Sequence, residues 1–391
     1  MTTLLTWVFG RLPIGWLQLS HNRMRLFAAI AGVGFANLLV FVQLGILGAL
    51  NSTTTAAYAL FDADIIVSSS DANTLTDGGN VARQRLFQAL GVPGVASGTP
   101  LFIANLDWQR SDGSSSTLQT FGLAADAAGF LDARVAAAFD ALVIEDTVLI
   151  DRSTRGVSPG ALDGISPFTP FHFEANGRTL SAVGTLDIGG GFFVDGTLFT
   201  SDQTFLRLFG NRGSGAPNHI LLRVDDGIDP VVVVERLRNV LPPGSVKVNT
   251  FADAASADLS HQTTERPTGI IFGFGVLIGV LVGVVIVYQI LSTDVADHLR
   301  EYATFKAMGY GHSFFLGIVF EEAAILALFG FIPGLLASIG LYAGMSAATG
   351  LPLEMGADRA LAVLVGTLLA CAVSGAIATR RLAGADPADL F

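Results

Sequence analysis

A single cysteine, Cys371, stands in a chain of 391 residues. No disulfide can form within the chain, so any domain outside the cell must be held by its own core. Charge is also scarce: 14% of the residues are Asp, Glu, Lys or Arg, against about 25% in a typical soluble domain. Lysine is nearly missing, with only Lys247 and Lys306, which reads as compositional bias rather than chemistry. There is no basic excess. The net charge is −11, and residues 51–266 alone carry 24 acids and 14 bases. Nucleic acid is therefore not an expected partner, because its footprint is basic. An acidic excess of this kind keeps an exposed domain soluble.

Several catalytic signatures are missing as well. No G-x-x-x-x-G-K-[ST] loop occurs, so the chain does not bind ATP by that motif. The six histidines, at 21, 172, 219, 261, 298 and 312, include no pair at H-E-x-x-H spacing. Asp225, Asp226 and Gly227 lack the further ligands of a cation loop and read as a solvated turn. No serine-hydrolase elbow is expected. The chain is expected to be no enzyme in itself, with no cofactor or metal of its own.

Long apolar runs are abundant. One covers 26–50; three more crowd the C-terminal third at 269–291, 314–342 and 360–379. About 20 apolar residues cross a bilayer as a helix, so the layout is one span, a large insertion at 51–266, then three spans. That spacing disfavours a channel or carrier built around a midplane site. Arg11, Arg23, Arg25, Arg300, Lys306, Arg380 and Arg381 all fall on one side of such a four-span chain. The positive-inside rule makes that side cytoplasmic, with both termini, and the insertion extracytoplasmic. A cleaved signal peptide fits poorly: the first run is too long and begins too far into the chain. Residues 1–25, with Trp7 and Trp16, predict an interfacial helix. Glycines repeat every three or four residues in 269–291, which predicts a flat packing face and a dimer.

Within the insertion, 63–104 and 219–251 each read strand, helix, strand. They predict an α/β base, with a mostly β insertion at 105–218. FEANGRTLS carries an Asn-Gly turn between strand-like flanks, a hairpin signal. Between the second and third runs, 292–313 reads as a short amphipathic helix on the cytoplasmic surface; an ordinary solvated connector is the other reading. Glu321 and Glu322 lie within the third run, where a carboxylate is costly. They are expected either to snorkel, or pair with Lys306, or to serve transport.

The segment EYATFKAMG (301–309) resembles the coupling pattern E-x-A-x-[LF]-[KR]-A-[ML]-G of MacB/FtsX-type ABC transporter permeases. The likeness continues through 16–45, 83–91, 321–334, 349–355, 374–382 and residues 385–391 of the expected cytoplasmic tail (380–391), and is closest to DevC-type permeases of the DevBCA exporter class. Arg300 stands where proline is expected in that class. The resemblance implies an α-helical membrane protein with four transmembrane helices in a one-plus-three layout and a large α+β periplasmic domain between the first and second helices. It implies a homodimer in the bacterial inner membrane, in contact with membrane lipids. A separate DevA-like ABC ATPase would bind ATP and Mg. A DevB-like membrane-fusion adaptor and a TolC-like outer-membrane channel would complete the exporter. Segment 292–313 becomes the coupling helix, with His298, Arg300, Glu301 and Lys306 as polar contacts to the ATPase, and Tyr302, Phe305 and Met308 packing before the stop at Gly309. Work would pass by mechanotransmission to the outer domain, exporting a glycolipid or similar amphiphile. Two relatives in mechanism stay open: an FtsX-like signalling subunit controlling a cell-wall hydrolase, and a LolCDE-like lipoprotein-release permease.

Overall fold

The computed structural model describes residues 14–110, 113–158, 160–298, 301, 304–306 and 308–379. In chain order the elements are α1 (Ile14–His21), α2 (Arg23–Tyr58), β1 (Ile65–Ser69), α3 (Gln84–Leu90), β2 (Val95–Gln109), β3 (Ser115–Leu123) and α4 (Ala133–Phe139). Then follow β4 (Thr147–Asp151), β5 (Phe171–Ala175), β6 (Arg178–Leu186), β7 (Gly196–Ser201), α5 (Asp202–Leu208), β8 (His219–Val224), α6 (Pro230–Val240) and β9 (Val246–Thr250). The last described elements are α7 (Phe251–Ser260), α8 (Pro267–Asp297), α9 (His312–Thr349) and α10 (Ala357–Ala378). Contacts divide them into a helical unit (1–47, 270–344 and 353–391) and an α/β unit (48–269 with 345–352).

Among the described residues, four helices are long and apolar enough to cross a membrane: Arg23–Tyr58, Pro267–Asp297, Ser313–Thr349 and Ala357–Ala378, with mean hydropathy between 2.1 and 3.0. They overrun the apolar runs for local reasons. After residue 50, the hydroxyls of Ser52, Thr53, Thr54 and Thr55 donate back to carbonyls three or four residues earlier. A polar stretch thus stays helical by satisfying its own side chains. Residues 292–297, expected in the coupling helix, instead continue α8, and residues 312–313 open α9. Asn22 breaks α1 from α2; its carboxamide caps α2 by accepting from the Arg25 amide at 3.2 Å.

The helical unit packs through glycine, though not only on the face expected. A Cβ on Gly330 would lie 2.5 Å from Val33 Cβ, and one on Gly334 2.8 Å from the Gly34 carbonyl oxygen. The G-x-x-x-G step of α9 therefore lets its backbone meet that of α2. Pro333 lies inside this helix, which continues past it. From α10, Ser374 donates to the Val284 carbonyl of α8 at 3.0 Å. Leu19, Val33, Leu291, Ile318 and Leu326 form the unit's main buried cluster.

The α/β unit is built on one nine-stranded sheet in the order β5-β6-β4-β7-β3-β2-β8-β1-β9. The two strand–helix–strand segments interleave: β1 lies between β8 and β9, antiparallel to both, and β8 pairs with β2. This is a split β-α-β arrangement of ferredoxin-like type. Leu86 and Ala89 of α3, and Val233, Val234 and Leu237 of α6, cover Ile65, Val67, Ile220 and Val248 on one face. Asp229 caps α6 by accepting from the Val231 amide, with Pro230 at its first turn. Residues 105–218 supply β3 to β7. β2 runs 15 residues and belongs to both parts, because its outer half pairs with β3 from Leu101 to Gln109. β5 and β6 form the hairpin read from the sequence. Asn176 and Gly177 have φ of 48° and 71°, the positive values that a two-residue turn of this hand requires.

Candidate functional site: a buried polar cluster at the coupling segment

At one end of the helical unit, acids collect in a hydrophobic surround. Asp294, Glu321 and Glu322 are 2%, 3% and 0% exposed. Arg25 is the cation among them. Its guanidinium lies 3.4 Å from Asp294 Oδ1 and 2.5 Å from Asp297 Oδ2. Arg25 sits in the first turn of α2, while Asp294 and Asp297 share one face of the last turn of α8, three residues apart. Glu322, nearly three turns into α9, faces the Asp294 carboxyl, with Arg25 also within its field. Glu321 Oε1 accepts from the Trp16 backbone N–H of α1 at 3.4 Å. Taking a carboxylate from water is costly unless it is paired. Glu321 ties α9 to α1 and Arg25 ties α2 to α8, while both Glu322 oxygens are buried without a hydrogen-bond partner among the described residues.

α1 closes the cluster. Gly15 allows the approach: a Cβ there would lie 2.8 Å from Glu322 Cγ and 3.1 Å from the Ile318 carbonyl oxygen. Trp16 stacks on Phe329 with centroids 5.9 Å apart. Gln18 Nε2 donates to Glu301 Oε2 at 3.1 Å, joining α1 to the segment beyond α8. Between them is a cavity of about 180 Å³ lined by Gln18, His21, Arg25, Asp294, Asp297 and His298.

The sequence-derived candidates fall into distinct places. His298 turns back on its own helix: its Nδ1 lies 3.0 Å from the Asp294 carbonyl oxygen and 3.7 Å from the Asp294 carboxylate. Glu301 is exposed and held by Gln18. Phe305 is half-buried and meets Tyr310 and Phe314 edge-on, at 5.8 and 5.7 Å. Lys306 and Met308 face outward, and Gly309, at φ +94°, ends the turn as only glycine does readily. Arg300 and Tyr302 lie outside the described residues, as do residues 1–13 and the tail from 380. Glu321 and Glu322 neither snorkel to an exposed position nor rest on exposure; both are buried among helices. Arg25, Asp294 and Gln18 were not singled out from sequence. The available signal was a pair of acids, Asp294 and Asp297, directly ending an apolar run.

A literal G-x-S-x-G string does occur, against expectation, at 156–160. It is no elbow. Gly156 and Ser158 lie in turns and coil after β4, and no helix follows.

The α/β unit has its own buried polar knot, centred on Leu75. The Leu75 amide donates to Asp258 Oδ2 at 2.7 Å, and the Tyr58 hydroxyl donates to the same oxygen at 3.1 Å. The Leu75 carbonyl is 2.8 Å from His219 Nε2, whose Nδ1 meets Ser68 Oγ at 2.8 Å. Two residues on, Asp77 accepts from Arg266 at 2.8 Å. Burial pushes the His219 imidazole down to about 4, against the pull of its bond to Leu75. Burial pushes the Asp258 carboxyl up, against the donors that surround it. The loop from 71 to 79 thus ties the last residue of α2 (Tyr58), α7 (Asp258) and the residue before α8 (Arg266) to the sheet.

No curated protein sequence matches the chain. Among solved structures, the periplasmic region of MacB from Actinobacillus actinomycetemcomitans is similar at 12% identity and a TM-score of 0.35, covering 51% of this chain and 93% of that one. The extracellular domain of the noncanonic ABC-type transporter YknZ from Gram-positive bacteria is similar at 11% identity and a TM-score of 0.33, covering 46% and 91%. The family match falls on the part of the chain that carries Asp294, the coupling segment and the two glutamates: residues 273–387 match the FtsX-like permease C-terminal domain.

Proposed function

We propose that this chain is the membrane permease subunit of an ATP-driven ABC-type complex, and that segment 298–309 receives the stroke of a separate ATPase subunit. The observation that carries the reading is the joint between Glu301 and Gln18, and between Arg25 and the pair Asp294 and Asp297. These bonds make the segment after α8 one body with α1 and the start of α2, so a displacement of the segment moves three helices together. Outward-facing Lys306 and Met308 offer the contact surface, and Phe305 anchors it from within. The FtsX-like match over 273–387 supports the same assignment.

In this reading the chain works as a homodimer in the bacterial inner membrane, both termini cytoplasmic and the α/β unit periplasmic. ATP and Mg belong to the ATPase. Nucleotide-driven closure shifts the helices between two packings, which the outer domain converts to motion. A periplasmic adaptor and an outer-membrane duct then complete a DevC-type exporter of a glycolipid or other amphiphile. The test is the double variant Glu301→Ala with Lys306→Ala in the reconstituted complex. It should retain the fold and lose stimulation of ATP hydrolysis. Undiminished ATPase binding and stimulation would refute the role of the segment. Mass spectrometry of what accumulates in a deletion strain identifies the exported molecule.

A further inference from the structure

Three helices of the helical unit, α2, α8 and α10, line a partly open cavity of about 210 Å³. Its wall includes Val40, Gly283, Gly366, Thr367 and Cys371, and it is apolar except where Thr367 meets one further polar side chain. That side chain is Asn37, 5% exposed. Thr367 Oγ1 lies 2.6 Å from Asn37 Oδ1 and 2.7 Å from the Val363 carbonyl oxygen. One hydroxyl proton cannot serve both. Whichever way the carboxamide is turned, one of its two polar atoms bonds Thr367 and the other has no partner; as placed, that atom is Nδ2.

Asn37 is 11 residues from one end of the apolar run 26–50 and 13 from the other, roughly 17–20 Å by helix rise. An unpaired amide at that depth has no bulk water to turn to. A trapped water needs two to four polar partners, and this wall offers one unpaired carboxamide atom beside a hydroxyl already bonded to Asn37 and Val363. The space equals about seven waters at roughly 30 Å³ each, sufficient for part of a thin chain. We infer that the cavity binds a hydrocarbon chain bearing a hydroxyl along its length, the oxygen seated on Asn37 and the methylenes lying against Gly283 and Gly366. A hydroxyl both donates and accepts, so it satisfies the free amide atom in either orientation. The depth of Asn37 requires that oxygen to be on the chain itself rather than at a headgroup. This site is independent of the coupling segment.

The probes are ricinoleate and oleate, which differ by one mid-chain hydroxyl, offered as free acids and as the acyl chains of phosphatidylcholine. Binding to the full chain is read by native mass spectrometry. Ricinoleoyl chains should bind about tenfold more tightly than oleoyl chains, equivalent to about 1.4 kcal/mol; preference in one arm alone tells a free acid from a lipid. Asn37→Leu should abolish the preference. Gly366 has open space where a Cβ would stand, so Gly366→Leu should keep the fold and weaken both probes. A diazirine-bearing ricinoleate on the unaltered chain should label 276–287 and 362–371. Equal binding of the two probes, unchanged binding in Gly366→Leu, or labelling elsewhere would overturn the assignment. So would a high-yield disulfide dimer of Gly366→Cys in a Cys371→Ala background, which would give the cavity to a second copy.

Discussion

The phenol of Tyr58 and the backbone amide of Leu75 share one carboxylate oxygen, Oδ2 of Asp258. The last residue of the first long helix is thereby bonded to α7, which lies just ahead of the second. Asp258 is 3% exposed, so neither donor has water as a substitute. Tyr58→Phe removes one bond to a charged acceptor and should cost about 1–2 kcal/mol. Asp258→Leu strands two donors and should cost more, about 3 kcal/mol or above. Thermal unfolding of the solubilised full chain ranks the two; equal effects would mean that the carboxylate does not hold the loop.

His219 makes the α/β unit acid-sensitive. Its imidazole, at about 4 in the fold, titrates near 6.5 once unfolded. Between those values the unfolded chain binds the extra proton, so stability rises with pH across the window. It should fall from pH 6.5 towards pH 4, by an amount of order 3 kcal/mol at the lower end. Asp258 acts in the opposite direction, because its raised carboxyl favours the fold under acid and loses that advantage as pH rises. The check is the unfolding midpoint from pH 7 to 4.5 in the native chain and in His219→Gln. The native chain should lose more on acidification; parallel curves would remove His219 from the account.

The charge cluster predicts an order of damage. Arg25→Ala leaves Asp294 buried without its cation and should cost about 3 kcal/mol or more. Asp297 is 58% exposed at its side chain, and Asp297→Ala should cost less than about 1 kcal/mol. Glu322→Gln should be milder than Glu322→Leu, since the amide can donate to Asp294 where the carboxylate only accepts. Melting temperatures in one detergent test the ranking.

Gly334→Ala puts a methyl 2.8 Å from the Gly34 carbonyl oxygen and 2.9 Å from Asn37 Cβ. The neighbour on one side is backbone, so α2 and α9 must part. A loss of about 1–3 kcal/mol is expected, while Gly340→Ala, which meets nothing within 4 Å, should be neutral. Comparing the two by thermal melt separates helix crossing from helix propensity.

The apolar helices were legible because a bilayer demands an unbroken run, and such a run is visible residue by residue. The Asn176-Gly177 hairpin was legible because its turn needs positive φ at adjacent positions. The interleaving of β1, β2, β8 and β9 was less so: the two segments could be matched as strand, helix, strand, yet nothing local says that β8 pairs on both sides. The polar clusters were not legible. Arg25 and Asp297 are 272 residues apart, and Asn37 and Thr367 are 330 apart. A charge at the edge of an apolar run looks the same whether it faces water or another helix. Residues 301–309 stood out by their pattern, but the pattern carried no sign that Gln18 would hold Glu301.

The nine residues from 71 to 79 lie between two anchor points, Tyr58 through Asp258 and Arg266 through Asp77. Both anchors therefore fall on the same short strap. The strap is clamped to strand β8 by an imidazole that has no slack, with partners at 2.8 Å on both nitrogens. A single imidazole therefore backs both anchors, and its loss would free the Asp258 and Asp77 ends of the strap together.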